Sequence, residues 1–215
     1  MVYCSFTLPT LNEAANIEKT LRSILDQTVV KANRGDFEIV VIDSDSTDRT
    51  VEIADRYADL IVLAPKGLLT ARTLGTQYAS GAIIMNVNAD AYYPPEYAGI
   101  MLSHFDDPNV VAVGGSYTYP GPVALVTKMF NDSHPKPWMP GLSNAYRKSA
   151  FEAIGGFDMS IDQTKYMRMV WAEENDFAQR LARVGKVDWE PRAVAVASPR
   201  RFEFGKMLKK REGSF

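Results

Sequence analysis

Before residue 91 the chain repeats one pattern: an apolar run of strand length, a polar loop, then an amphipathic stretch of helical period. Tyr3 to Leu8 reads as a strand stopped by Pro9, followed by a helix capped by Thr10 or Asn12 that carries Ile17, Leu21, Ile24 and Leu25 on one stripe. Phe37 to Ile42 is a second strand, emptying into Asp43-Ser44-Asp45-Ser46-Thr47-Asp48 and a helix from Arg49 to Tyr57. Leu60 to Leu63 and a helix from Leu68 to Tyr78 complete a third cycle, after which Ala82-Ile83-Ile84-Met85 runs apolar without alternation before the chain turns polar. Such runs suit strands covered on both faces, and repeated strand–helix alternation predicts an α/β fold with a mostly parallel, Rossmann-like central sheet flanked by helices. Right-handed crossovers then gather the loops after the strands on one edge, where ligands bind in open sheets of this kind.

The last of these strands ends in Asn88-Ala89-Asp90 before two prolines, Pro94 and Pro95. Oxygen side chains two residues apart suit a hard cation beside a phosphate, and they equally suit a turn. Asp43 sits directly at a strand end, where its carboxylate can accept a hydrogen bond from a nucleobase or simply form the turn. Asp48 and Thr47 read as caps for the following helix. Arg72 lies on the helix that returns beside the ligand edge, as either a nucleotide contact or a solvated side chain.

Further on, Pro95 to Phe105 predicts a helix, Val110 to Gly115 a strand, and the proline-rich stretch from Pro120 to Pro140 a loop with a short helix near Val123 to Phe130. We read 1–215 as a single domain with a nucleotide-sized half at 1–118 and a second half at 119–215. His134 and Trp138 are candidates to line a pocket in that second half, and His104 reads as a surface residue. Arg147 to Ile154 predicts a helix stopped by Gly155-Gly156, Glu173 to Val184 another, and Val187 to Trp189 and Ala193 to Ala197 two strands. On the helix after residue 172, Phe177, Ala178, Leu181 and Val184 define an apolar face; Glu174 falls within roughly 30° of its centre and Glu173 about 70° away. Glu174 therefore points inward, as a carboxylate held by the helix N-terminus or offered to a ligand. Asp176 and Arg180 are spaced for a structural ion pair. Arg200 and Arg201 follow the last strand and read as a diphosphate clamp or as solvated side chains.

Bulk properties narrow the function classes. A formal net charge of −2 argues against nonspecific nucleic-acid binding, and the single cysteine excludes an internal disulfide framework. Cys4 lies in an apolar run and reads as core. No apolar run approaches the ~20 residues of a membrane span, which places the chain in the cytoplasm. Lys206, Lys209, Lys210 and Arg211 form a basic end, either a solvated tail or a peripheral membrane contact.

In order, Leu8-Pro9-Thr10-Leu11-Asn12-Glu13, Val41 to Asp48, Ala71-Arg72-Thr73-Leu74-Gly75, Asn88-Ala89-Asp90, Asn144-Ala145-Tyr146-Arg147, Gly155-Gly156-Phe157-Asp158 and Glu173-Glu174-Asn175-Asp176 resemble the ordered motifs of family 2 glycosyltransferases, over about Ser5 to Gly205. The resemblance implies the GT-A fold, with a nucleotide-sugar-binding front half and an acceptor-binding C-terminal half. It implies transfer of a sugar, usually with inversion, from a UDP- or GDP-linked donor to a hydroxyl or phosphate on a glycan, lipid or small-molecule acceptor. Pro9, Glu13, Asp43 and Arg72 would hold the base and ribose, and Asn88 and Asp90 would face the diphosphate. Asp90 would ligate Mn²⁺ or Mg²⁺, with Arg200 and Arg201 on the phosphates. Glu174 would be the catalytic base, with His134, Trp138 and Asn144 on the acceptor side. Asn88 stands where the family has the first Asp of Asp-x-Asp, Glu174 where it commonly has Asp, and no histidine follows the strand near Ala197; weak dependence on metal is the expectation. The alternatives are a sugar-nucleotide-binding module without catalysis, for which Asn88 speaks, and a sugar nucleotidyltransferase, which would want a glycine-rich basic loop after the first strand.

Overall fold

The computed structural model describes residues 2–161 and 172–198. In chain order the elements are β1 (Cys4–Thr10), α1 (Ile17–Leu25), α2 (Thr28–Ala32), β2 (Phe37–Asp43), α3 (Thr50–Ala54), β3 (Leu60–Leu63), α4 (Leu68–Tyr78), β4 (Ile83–Asn86), β5 (Ala91–Tyr92), α5 (Tyr97–Leu102), β6 (Val110–Thr118), α6 (Val123–Ser133), β7 (Asn144–Arg147), α7 (Lys148–Ala153), α8 (Ala172–Leu181) and β8 (Lys186–Ala197). They build one eight-stranded sheet in the order β3-β2-β1-β4-β7-β6-β8-β5.

The front half follows the strand–helix cycles. β1 pairs in parallel with β2 and β4, and β2 with β3. Strand β1 continues through Pro9 to Thr10, because β4 pairing stops at Thr7↔Asn86 and Pro9 is flanked by β2 alone, opposite Ile42. Helix α1 starts after Asn16 rather than at Thr10 or Asn12; Asn12 instead turns left-handed, with φ 55°.

The antiparallel pairings of the mostly parallel sheet lie in the back half, where β7 pairs antiparallel with both β4 and β6. Arg147, where the sequence predicts a helix to start, is the last residue of this strand, and the helix begins at Lys148. β8 is one strand of 12 residues rather than two, parallel to β6 with a register shift between Gly115 and Ser116. These directions matter for function. An antiparallel β7 begins where β4 ends, and β6 and β8 run to that same edge, so the loops after β1, β2, β4 and β6, the loop before β7 and the end of β8 all share it.

Two core layers sandwich the sheet. Phe6, Leu8, Ile17, Leu21, Ile24, Ile39, Met85 and Trp138 fill one side; Val40, Ile42, Ile84, Tyr146, Phe151, Phe157 and Phe177 fill the other. Cys4 is buried in the first layer, where burial pushes its thiol pKa up. Gly155 and Gly156 both take positive φ, 75° and 79°, which ends α7, and Arg180 ties this turn to α8 by donating to the Gly156 carbonyl at 2.6 Å. Among the described residues no helix is long and apolar enough to cross a membrane.

His104 is not a free surface residue. Its Nδ1 lies 2.9 Å from Asp188 and its Nε2 3.1 Å from Glu190, both on β8. Burial works against the imidazolium, and the bonds to the two carboxylates outweigh it, so its pKa is raised. Glu190 is lowered to about 2, first by Arg192 and then by His104 among others. A histidine raised above its unfolded value contributes stability that is present below about pH 6.5 and lost as pH rises through the folded value. Thermal melts across pH 6 to 8 should therefore show wild type losing stability relative to His104→Gln, whose melting curve lacks this component.

Candidate active site

The first wall of the shared edge is made by two interlocked loops. Asn12 donates its backbone N–H to Ser46 Oγ at 2.8 Å and accepts from the Thr47 N–H at 2.8 Å; Ala14 N–H reaches Asp48 at 3.1 Å and Glu13 N–H reaches Thr50 at 2.8 Å. Asp48 also accepts from the Thr50 amide and hydroxyl, so it holds the start of α3 as its sequence position suggests. Asp43 lies beneath, 1% exposed, accepting from Thr10 Oγ1 at 3.0 Å, Ser46 Oγ at 2.6 Å and Ser46 N–H at 2.8 Å. Its carboxylate is thus engaged by the turn, and a nucleobase reaches it only if Ser46 gives way. Glu13 accepts from Asn16 at 2.9 Å, and Pro9 borders the same loop.

The floor is the end of β4. Asn86 accepts from Thr7 Oγ1 at 2.8 Å and donates to Asn144 Oδ1 at 2.9 Å, and Asn144 donates in turn to the Pro140 carbonyl at 2.8 Å. This buried polar chain crosses β1, β4 and β7 and fixes the loop from Trp138 to Gly141. Asn144 thus helps to position that loop. A second stitch runs through Tyr93, whose hydroxyl accepts from the Asn88 N–H at 2.8 Å and donates to the Leu142 carbonyl at 2.9 Å. The Asn88-Ala89-Asp90 turn is thereby tied to the same loop. Ser198, at the end of β8, donates its N–H to the Asp90 carbonyl at 3.1 Å, so the chain leaves the sheet beside Asp90. Arg200 and Arg201 lie outside the described residues.

Opposite the floor stands Glu174, in the first turn of α8, whose inward face is Phe177, Ala178 and Leu181; Val184, expected on the same face, lies beyond the helix end and is exposed. Asp176 and Arg180 pair at 2.7 Å. Glu174 Oε1 accepts the backbone N–H of Gly141 at 2.6 Å, while Oε2 is buried with no hydrogen-bond partner among the described residues. The Trp138 indole N–H lies close enough to favour the ionised carboxylate, yet neither it nor Oε2 closes a hydrogen bond. Burial raises the Glu174 pKa to about 7, against the lowering influence of Arg72 and the Gly141 N–H; neighbouring Glu173 raises it further. Arg72 is 4% exposed, its Nε is without a partner among the described residues, and its Nη2 lies 1.9 Å from where a Cβ on Gly141 would be. Gly141 thus holds the Glu174 carboxylate on one side and admits the guanidinium on the other. Neither Gly141 nor Asn86 stands out as a functional residue in the sequence; the Pro140-Gly141 turn dipeptide was the available signal.

Trp138 is fully buried and stacks on Trp189 with centroids 5.3 Å apart, so its ring belongs to the core beneath this region. His134 packs on Trp138 at 4.2 Å and lies 3.4 Å from Asn175, one residue beyond Glu174.

The described residues offer a divalent cation few ligands at this edge. Among the described residues no group of three or more His, Cys, Asp or Glu gathers there, leaving Asp90 with Asn88 as the oxygen donors of the turn. One carboxylate suits a cation that arrives on a diphosphate and keeps phosphate and water oxygens as its other ligands; it does not suit one held by the free protein.

The family model described as glycosyl transferase family 2 matches residues 5–162, and the chain belongs to that family. Similar curated proteins include a dolichol-phosphate mannosyltransferase of Pyrococcus furiosus, 33% identical over 125 residues (55% of this chain, 34% of that protein), and glycosyltransferase AglE of Haloferax volcanii, 32% identical over 127 residues (55% and 41%). The chain thus spans well under half the length of these relatives. Among solved structures, a Pyrobaculum calidifontis mannosyltransferase in complex with GDP-Man and Mn²⁺ superposes with TM-score 0.72 at 24% identity, covering 97% of this chain and 60% of that one. Residues 1–349 of S. aureus TarS with UDP-GlcNAc give TM-score 0.71 at 18% identity, covering 92% and 58%. The shared fold is GT-A, a mixed, mostly parallel sheet flanked by helices.

Proposed function

We propose that the chain is the catalytic unit of a glycosyltransferase that moves a sugar, with inversion, from a nucleoside-diphosphate sugar to an acceptor hydroxyl. The observation that carries this reading is Glu174: a buried carboxylate with its pKa raised to about 7 and one oxygen that no described residue bonds, set against a buried arginine at the ligand edge. A general base works best with its pKa near the operating pH, and a hydroxyl has a proton to give up as it attacks. A phosphate acceptor arrives already ionised and would be repelled by the same carboxylate, so the hydroxyl is favoured.

In this reading Pro9, Glu13 and the Asp43 turn bound the base and ribose, Arg72 meets the diphosphate, and Glu174 receives the acceptor proton on the opposite side of the sugar. Asp90, with Asn88 beside it, is the residue to hold Mn²⁺ or Mg²⁺. That cation supplies neutralisation of charge on the departing diphosphate. His134 and Asn175 border the acceptor side. The relatives' names fit a nucleotide-sugar donor, with GDP-Man and UDP-GlcNAc bound to the two solved structures.

The test is a thermal-shift screen of UDP, GDP and their sugars, with Mn²⁺ and with chelator. A true donor at about 100 times its Kd stabilises by about 2.7 kcal/mol, roughly a 5–10 °C rise in Tm for a chain of this size. Part of the rise should survive chelator, because Asp90 is a single carboxylate. Complete loss in chelator with full recovery in Mn²⁺ refutes weak metal dependence, and no shift with any nucleotide refutes the donor site. A donor that binds but is never transferred or hydrolysed points to the binding module, the reading that Asn88 favours.

A further inference from the structure

Arg72 is a permanent cation, almost wholly buried, and no side-chain carboxylate lies within ion-pairing distance of it among the described residues. Across Gly141 it faces Glu174, whose Oε1 is fixed by the Gly141 N–H. The charged groups acting on Glu174 among the described residues are Arg72 from α4 and Glu173 from its own helix; Tyr93 and Tyr146, which Arg72 also influences, stay neutral because burial raises both. Among the described residues Arg72 is thus the cation that favours the ionised Glu174 carboxylate. A guanidinium with unused donors in a cleft is also the group an incoming diphosphate would take as its partner.

We infer that Arg72 couples the two substrates, in that a donor diphosphate pairing with Arg72 cancels the charge Glu174 relies on and leaves the carboxylate a stronger base. The inference rests on the nucleotide-diphosphate reading above. Before the donor binds, Glu174 is the weaker base; afterwards it has a greater affinity for the acceptor proton. Linkage makes the effect reciprocal: donor binding draws one proton from solvent onto Glu174 in a fraction of molecules, and the donor binds more tightly where Glu174 is already protonated. No bond other than the carboxyl O–H is made.

Titration calorimetry of the intact chain with the nucleoside diphosphate, in chelator so that no divalent cation masks the phosphate charge, reads this directly. Repeating it at pH 7 in buffers of different ionisation enthalpy gives the protons taken up. A rise of about one pKa unit, tenfold in proton affinity, corresponds to an uptake of about 0.4 proton per site. Glu174→Gln keeps the acceptor oxygen for Gly141 and should bind the diphosphate with no uptake. As a second measure, the carboxyl carbon of Glu174, assigned by its loss in Glu174→Gln, should titrate about one unit higher in the diphosphate complex. Binding without proton uptake, or uptake that persists in Glu174→Gln, overturns the coupling and leaves the donor site standing. Absence of any nucleoside-diphosphate binding overturns both.

Discussion

Glu174→Gln is expected to lower sugar transfer by about 10²–10⁴-fold, the usual contribution of a positioned general base. The same substitution should make the protein more stable above neutral pH. Glu174 has its pKa raised to about 7 by burial, so between its unfolded value near 4.5 and 7 the folded state holds more protons than the unfolded one. Stability falls through that window as pH rises, by on the order of 3 kcal/mol in total. Glutamine carries no charge to bury and keeps the bond to Gly141, so its stability curve lacks the fall. Chemical denaturation at pH 5 and pH 8, beside transfer rates, checks both halves. The wild-type rate should climb as Glu174 ionises, and a flat pH–rate profile together with full activity of Glu174→Gln would remove it from the chemistry.

The second large effect is expected at Gly114→Ala on β6. A Cβ there would stand 2.0 Å from the Trp138 carbonyl oxygen and 3.3 Å from the Met139 Cα, both backbone, so no side-chain rotation relieves the clash. The loop from Trp138 to Gly141 must move off the sheet, at a cost of about 1–3 kcal/mol or more. Gly141 would then cease to hold Glu174, so donor binding and transfer should fall together with Tm. Gly35→Ala is the control, since its nearest neighbour is 3.8 Å away, and should leave all three near wild type. An unchanged Tm in Gly114→Ala would mean that the loop is not seated on β6 as described.

The contrast between these glycines shows which parts of the molecule were readable from sequence. Helix α4 and strand β3 match their sequence limits because a period is a local property, visible without knowing the partner. Glu174 was placed inward by the same logic, since the apolar face of α8 fixes its rotation. β7 was hidden: four residues, Asn144 to Arg147, carry no period of their own, and their strand identity comes entirely from β4 and β6 on either side. That Trp138 is buried against Trp189, 51 positions on, is likewise invisible in a proline-rich stretch of sequence. Asp43 could be located but not its three hydrogen-bond donors, which come from two different loops. Gly114 and Gly141 were equally silent, since what a missing side chain makes room for is decided across the sheet.

The interlocking of Asn12 with Ser46 and Thr47, and of Ala14 with Asp48, carries a consequence for how such an enzyme can diversify. Two loops that share their hydrogen bonds move as one body, so a substitution that reshapes either one also displaces the other. On the proposed function, in which these loops bound the nucleobase, a change of preferred base would call for matched substitutions after β1 and after β2.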